Sequence, residues 1–230
     1  MEETWELAVV SDGDNTPFTD GGVKFIQMNE FAVRYHLVQV ENHIEEFHST
    51  YNDLHRLSKL GEDQIPEGVD VWDLVSRCAE ALTGIANVLD PQIRGSKESK
   101  LYKFTKFRAE AVSGLLGVHL DYRSSLVDLR NRFHHEDEDF DEWYFNSMAK
   151  GIAPSKITRR KLMWDESPLC LDNEAVASGY DLSSGFVHFF DKRFSLHDFM
   201  SWVKELKGLV ADAHEELTNI SGSRTEVTTL

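Results

Sequence analysis

The sequence predicts a mostly helical protein with a small β excursion before its last helix, and three observations carry that prediction. Four long stretches place apolar residues at alternating spacings of three and four. Only two segments, 1–27 and 152–195, carry the shorter alternation that suits strands. Hydrophobic residues make up 41% of the 230 and charged ones 28%, the balance of an ordinary globular chain with a core to bury.

Taken in order, residues 1–27 form an N-terminal extension with an alternating run (Trp5, Leu7, Val9), a polar turn at Ser11 to Asn15 and the Gly21-Gly22 pair. The first helix is expected from about Met28 to Leu60, with the heptad-like stripe Leu37, Val40, Ile44, Phe47, Tyr51, Leu54. The second runs from Val71 to Leu89, after the breaker cluster Gly61 to Asp70 and before Pro91. Its face is Leu74, Val75, Cys78, Leu82, Ile85 and Leu89. The third is expected to be the longest. Apolar residues recur from Phe104 to Phe133, and an unbroken helix over Leu101 to Phe133 would span about 50 Å.

Residues 152–195 read as a hairpin-like insert built on Leu162-Met163-Trp164 and Phe186 to Phe190. The last helix is expected over Leu196 to Leu217, with Ser195 as its N-cap. Four amphipathic helices with one core stripe each form the pattern of a bundle. No internal repeat and no long linker interrupts it, so one domain over 1–220 is expected, followed by a disordered tail at 221–230.

Composition excludes several classes of function. A net charge of −16 argues against coating nucleic acid or an anionic membrane through the overall field, although it leaves room for a local basic site. No apolar run approaches the roughly 18 residues a membrane span needs. Met1-Glu2-Glu3 has the wrong sign for a secretory n-region. Cys78 and Cys170 match no metal or redox spacing. A reducing cytoplasm is the expected compartment, where the Asn219-Ile220-Ser221 sequon has no consequence.

Charge is unevenly distributed. Arg94, Lys97, Lys100, Lys103, Lys106 and Arg108 face a single acid, Glu98. Lys156, Arg159, Arg160 and Lys161 follow Pro154, and an acidic run occupies Glu136 to Glu142. Charge runs of this kind are ordinarily solvated faces. The informative stretch lies just before the acids: Asp128-Leu129-Arg130-Asn131-Arg132-Phe133-His134-His135. In continuous helix, Asn131 and His135 share a face, and Arg130 lies about 100° away around the helix.

A guanidinium, a carboxamide and an imidazole at a helix end suit the cleavage of RNA. A histidine titrating near neutrality can take the 2′-hydroxyl proton. An arginine fork can hold the charge that grows on phosphorus. The amide can orient either partner. No metal or other cofactor is required, because the nucleophile belongs to the substrate.

Arg130-Asn131 followed by His135 resembles the signature of the HEPN superfamily, an Arg with a His four to six residues later and commonly an Asn directly after the Arg. The resemblance is specific over roughly 20 residues. It implies an all-α bundle, frequently a homodimer with two motifs facing a shared cleft. For active members it implies metal-independent endoribonuclease chemistry in toxin–antitoxin, abortive-infection or CRISPR-associated settings, with an antitoxin or operon partner protein. Carried over, Arg130 and His135 are the catalytic pair and Asn131 the supporting polar residue. Arg132 and His134 are then secondary substrate contacts, and Lys156, Arg159 and Arg160 the substrate-docking bases.

Other readings stand beside this one. His134, four residues from Arg130, competes with His135 for the same role. Arg130 can instead pair with an acid such as Asp128, with both histidines serving the helix C-terminus. The same bundle without catalysis would be a dimeric interaction module, and an interhelical cleft could take a nucleotide or small ligand. A metal site at His134 and His135 is bunched too tightly for a defined shell, so no metal is expected. The histidines of the first helix, His36, His43, His48 and His55, fall on two stripes rather than in one cluster. Asp12 to Thr16 begins like a calcium loop but has Pro17 where glycine is required.

Overall fold

The computed structural model describes residues 5–10, 17–20, 23–60, 64–91, 99–118, 123–163, 175–190 and 192–223. Its elements are, in order, β1 (Trp5–Val10), β2 (Pro17–Asp20), β3 (Val23–Asn29), α1 (Glu30–Leu57), α2 (Val71–Leu89), α3 (Lys100–Leu115), α4 (Arg123–His134) and α5 (Glu136–Ala149). A short 3₁₀ turn (Pro154–Lys156) then leads into β4 (Ile157–Met163), β5 (Ala175–Asp181), β6 (Phe186–Phe189), β7 (Lys192–Ser195) and α6 (Leu196–Ser223). The protein is mostly helical, with a small mixed sheet before the last helix.

Three expectations need correction. The long third helix is two helices, because the chain stops α3 at a glycine. Gly117 adopts φ +60°. Its N–H donates to the Gly114 carbonyl at 3.1 Å, while the Val118 N–H donates to the Ser113 carbonyl at 3.2 Å. This bond pair is a Schellman stop, which requires the left-handed conformation that glycine adopts cheaply. The apolar rhythm continues past it because α3 and α4 each bury a face of their own.

The acidic run is the second correction. It opens a helix, α5, giving six α-helices among the described residues rather than four. Carboxylates in a first turn suit the helix dipole, and Phe140, Trp143 and Tyr144 supply an apolar face at helical spacing. The third correction concerns the insert. It is a four-stranded mixed sheet of order β4-β5-β6-β7, not a hairpin. Its first pair, β4 and β5, is parallel, with Ile157 opposite Ala175. In addition, α6 extends to Ser223, so the expected tail at 221–230 begins inside a helix, and 224–230 lies outside the described residues.

The chain divides into two compact units. The first comprises Met1–His43, Gly84–Asp121 and Lys204–Leu230. Its β1-β3-β2 sheet pairs β1 parallel and β2 antiparallel to β3. Its core includes Leu37 and Val40 of α1, Ile85 of α2, Val112 and Leu116, and Leu206 and Leu217 of α6. Polar contacts tie these helices at their margins. Arg34 donates to the Thr218 hydroxyl at 3.3 Å, Glu41 lies 3.9 Å from His214, and the Ser113 hydroxyl donates to the Leu89 carbonyl at 3.2 Å.

The second unit comprises Ile44–Thr83 and Tyr122–Val203. Phe47 and Leu54 of α1, Leu82 of α2, Leu129 of α4 and Leu196 are fully buried there. Strand β5 is buried along its whole length, as a central strand covered on both faces must be. Helix α5 packs against β4 and β5. As predicted, the Ser195 hydroxyl caps α6, accepting from the Asp198 N–H at 3.0 Å. Phe104, expected in the core, is 39% exposed on α3. No helix among the described residues is long and apolar enough to cross a membrane.

Candidate functional site

The motif closes α4, and His135 is the turn residue between α4 and α5. Helical geometry persists through it. The His135 N–H donates to the Asn131 carbonyl at 3.0 Å, and the Asp139 N–H donates to the His135 carbonyl at 2.9 Å. Asn131 and His135 therefore sit one helical turn apart, with Asn131 half-buried and the His135 side chain 54% exposed.

The first turns of α5 supply acids to this helix end. Nδ1 of His135 lies 3.0 Å from a Glu138 carboxylate oxygen. The Arg132 guanidinium donates to Asp139 at 3.1 Å. With Nδ1 held, Nε2 lies on the opposite side of the ring from the carboxylate. The backbones of Arg130 and His134 belong to α4 and that of Arg160 to β4, but their side chains lie outside the described residues. Lys156 is exposed at the end of the 3₁₀ turn. Arg159 of β4 places its guanidinium 5.6 Å from the centre of the Phe140 ring, a cation–π contact. Helix α5 thus contacts the motif through Glu138 and Asp139, and the basic strand through Phe140.

A second constellation, which the sequence reading did not single out, surrounds a cavity of about 130 Å³ in the same unit. Its walls include Tyr51 and His55 of α1, Tyr180 at the end of β5, Ser183 and Ser184 in the β5–β6 turn, and His197 in the first turn of α6. The Tyr51 phenol meets Nδ1 of His197 at 3.2 Å. The Tyr51 and His55 rings stack nearly parallel, 6.2 Å apart with 5° between their planes. Burial pushes the Tyr51 phenol up from its usual pKa, and the neighbouring Cys78 adds to the shift. Tyr180, only 2% exposed, is raised further by the same desolvation.

Asp181 lies behind the serines and is itself 2% exposed. Its carboxylate accepts from the Ser183 hydroxyl at 2.7 Å, the Ser184 hydroxyl at 2.5 Å and the Ser183 N–H at 2.9 Å. Burial works to raise the carboxyl pKa. The hydrogen bonds from the Ser184 and Ser183 side chains, with those from the backbone, outweigh burial and hold it below the ordinary value. The sequence signal for this turn was present in Asp181-Leu182-Ser183-Ser184-Gly185, an Asp followed by Ser and Gly. Its meeting with Tyr51, His55 and His197 is tertiary and leaves no local trace.

No protein-family model, no curated protein and no solved structure matches this chain.

Proposed function

We propose that the chain is a metal-independent endoribonuclease of HEPN-like type, acting from the end of α4. The single observation that carries the reading is the retained helical turn between Asn131 and His135, with the imidazole exposed and Nδ1 tied to Glu138. That arrangement suits a base whose Nε2 faces substrate.

In the proposed reaction His135 takes the 2′-hydroxyl proton, and the 2′-oxygen forms a bond to phosphorus. The bond from phosphorus to the 5′-oxygen breaks, and that oxygen leaves as a hydroxyl after gaining a proton. The products are a 2′,3′-cyclic phosphate and a 5′-hydroxyl. Arg130 supplies the fixed positive charge for the phosphorane, and Asn131 orients the pair. A second copy of the chain completes the cleft, with Lys156, Arg159 and Arg160 guiding RNA toward it. A cytoplasmic setting with an antitoxin or operon partner belongs to the same reading.

Incubation of RNA with EDTA tests it, comparing wild type with Arg130→Ala and His135→Ala. The expected result is cyclic-phosphate ends that fall by about 10²-fold or more in both variants. Equal cleavage by all three proteins, or intact RNA at high protein concentration, overturns it.

The second reading is a non-catalytic interaction module. The contacts of Arg132 with Asp139 and of His135 with Glu138 favour it, because acids already engage two side chains that a phosphate would need.

A further inference from the structure

We propose that the pocket lined by Ser125, Phe186, Arg193, Phe194, Asp198 and Phe199 binds a small zwitterion, a free α-amino acid with an apolar side chain. The pocket lies within the second unit and measures about 190 Å³. The register of the sheet builds one side of it. Phe186 pairs with Ser195 and His188 with Arg193, so these four side chains leave the β6–β7 ribbon on one face. Arg193 crosses diagonally onto Phe186, its guanidinium carbon 3.5 Å from the ring centre. The other side comes from Asp198 and Phe199 in the first turn of α6 and from Ser125 in the first turn of α4.

The first ground is a pair of opposite charges that line one pocket without joining. Among the described residues, the Arg193 guanidinium makes no hydrogen bond or ion pair, and its close partner is the Phe186 ring. The Asp198 carboxylate has no basic partner there either, Arg193 included. A ligand that carries both a carboxylate and an ammonium answers both groups. Stacking leaves the edge of the guanidinium free as a planar fork for the carboxylate. The Asp198 carboxylate accepts from the ammonium, which carries three donors. A simple anion would be drawn to Arg193 and repelled by Asp198, and a simple cation the reverse.

The second ground is the division of the pocket into floor and rim. Phe194 and Phe199 are buried, whereas Arg193 and Asp198 are exposed. The pocket is therefore apolar at depth and charged at its mouth, as an amino acid is between its side chain and its head. Both charges are also held before any ligand arrives. The Phe186 ring fixes the plane of Arg193, and the Ser195 hydroxyl steadies the first turn of α6 by accepting from the Asp198 N–H at 3.0 Å. Groups ordered in advance lose little freedom on binding. Size sets the class of side chain: an apolar cavity of about 150 Å³ takes a benzene ring, so 190 Å³ admits a leucine side chain.

This inference does not rest on the ribonuclease reading, since none of the six residues belongs to the motif. The test is calorimetric titration of the full chain with L-leucine. Two blocked derivatives are titrated beside it: N-acetyl-L-leucine, which lacks the ammonium, and L-leucinamide, which lacks the carboxylate. Saturable binding of leucine with a Kd on the order of 1 mM is expected. Each blocked derivative should bind more weakly by about 10-fold or more. The variants Asp198→Asn and Arg193→Gln should each weaken leucine binding by about 10-fold while keeping a cooperative thermal transition. A flat leucine titration to about 50 mM overturns the proposal. Equal binding of either blocked derivative, or an unchanged affinity in a folded Asp198→Asn variant, also overturns it.

Discussion

Arg132 and Asp139 form an ion pair of 3.1 Å across the junction of α4 and α5, beside the 3.0 Å contact between His135 and Glu138. The two contacts have different consequences for an RNA-cleaving site. A carboxylate on Nδ1 fixes the orientation of the imidazole and which nitrogen faces substrate. A carboxylate on Arg132 competes with phosphate. Glu138→Gln should therefore lower the single-turnover rate by about 10-fold with little change in RNA affinity. Asp139→Asn should tighten RNA binding by roughly 3-fold, while costing only about 0.5 kcal/mol of stability because the pair is part-exposed. Single-turnover cleavage and a filter-binding assay measure both. Faster cleavage by both variants would instead make the acidic first turn of α5 an inhibitor of the site.

A second prediction concerns packing in the first unit. Gly84 of α2 faces the His43 ring so closely that an added Cβ would sit 2.4 Å from the ring carbon and nitrogen atoms. Glycine in a helix interior ordinarily costs about 1 kcal/mol relative to alanine, so here close approach outweighs propensity. Gly84→Ala should destabilise by about 1–3 kcal/mol, as overpacking does. The same substitution in a His43→Ala background should be neutral or stabilising. Urea denaturation of the four proteins of the double-mutant cycle reads the coupling. Additive effects would show that His43 is not what Gly84 accommodates.

The helices were legible where an amphipathic stripe had clear ends. Val71 to Leu89 was readable at both boundaries, and Ser195 announced α6. The break at Gly117 was missed because its neighbours Leu115, Val118 and Tyr122 keep helical spacing across it, so periodicity masked the stop. Helix α5 was hidden by its acids, which read as a solvated run until Phe140 and Tyr144 are counted as one face. Parallel pairing of β4 with β5 depends on contacts between distant segments, and no local signal encodes it. At the candidate site, the one-turn relation of Asn131 and His135 was readable. The engagement of Arg132 by Asp139 and the cavity around Tyr180 were not, because both depend on tertiary approach.

Two glycines close together in sequence make that break testable. Gly117 sits at φ +60°, where an L side chain costs about 1–2 kcal/mol. Gly114, still inside α3, has no atom within 4 Å of where an alanine methyl would stand. Gly117→Ala should therefore destabilise by about 1 kcal/mol, and Gly114→Ala should stabilise by up to about 1 kcal/mol. Thermal unfolding of the two single variants decides the matter. The same sign for both would mean that α3 does not end in a left-handed glycine.

Stability should fall with acid in two separate windows, each with its own residue. His188 of β6 is held below its ordinary value of 6.5, chiefly by burial and then by Arg193, with Asp181 opposing. Above that value the imidazole is neutral in both states and contributes no pH dependence. As pH falls below 6.5, the unfolded chain takes up a proton that the folded ring resists, so stability declines until the lowered folded pKa is passed. Asp181 acts later. Its folded pKa lies below the ordinary 3.8, so its contribution is present above that value and is lost as pH falls through the folded one. His188→Gln should flatten the decline that begins as pH falls below 6.5, without changing the behaviour below about pH 4. Asp181→Asn should cost about 1–3 kcal/mol at neutral pH, by weakening the hydrogen bonds of a buried acceptor. Its difference from wild type should narrow only below about pH 4. Urea denaturation at closely spaced pH values separates the two. A His188→Gln variant with the wild-type slope just below pH 6.5 would assign the first window to another group, with His36 next in line because burial also lowers it.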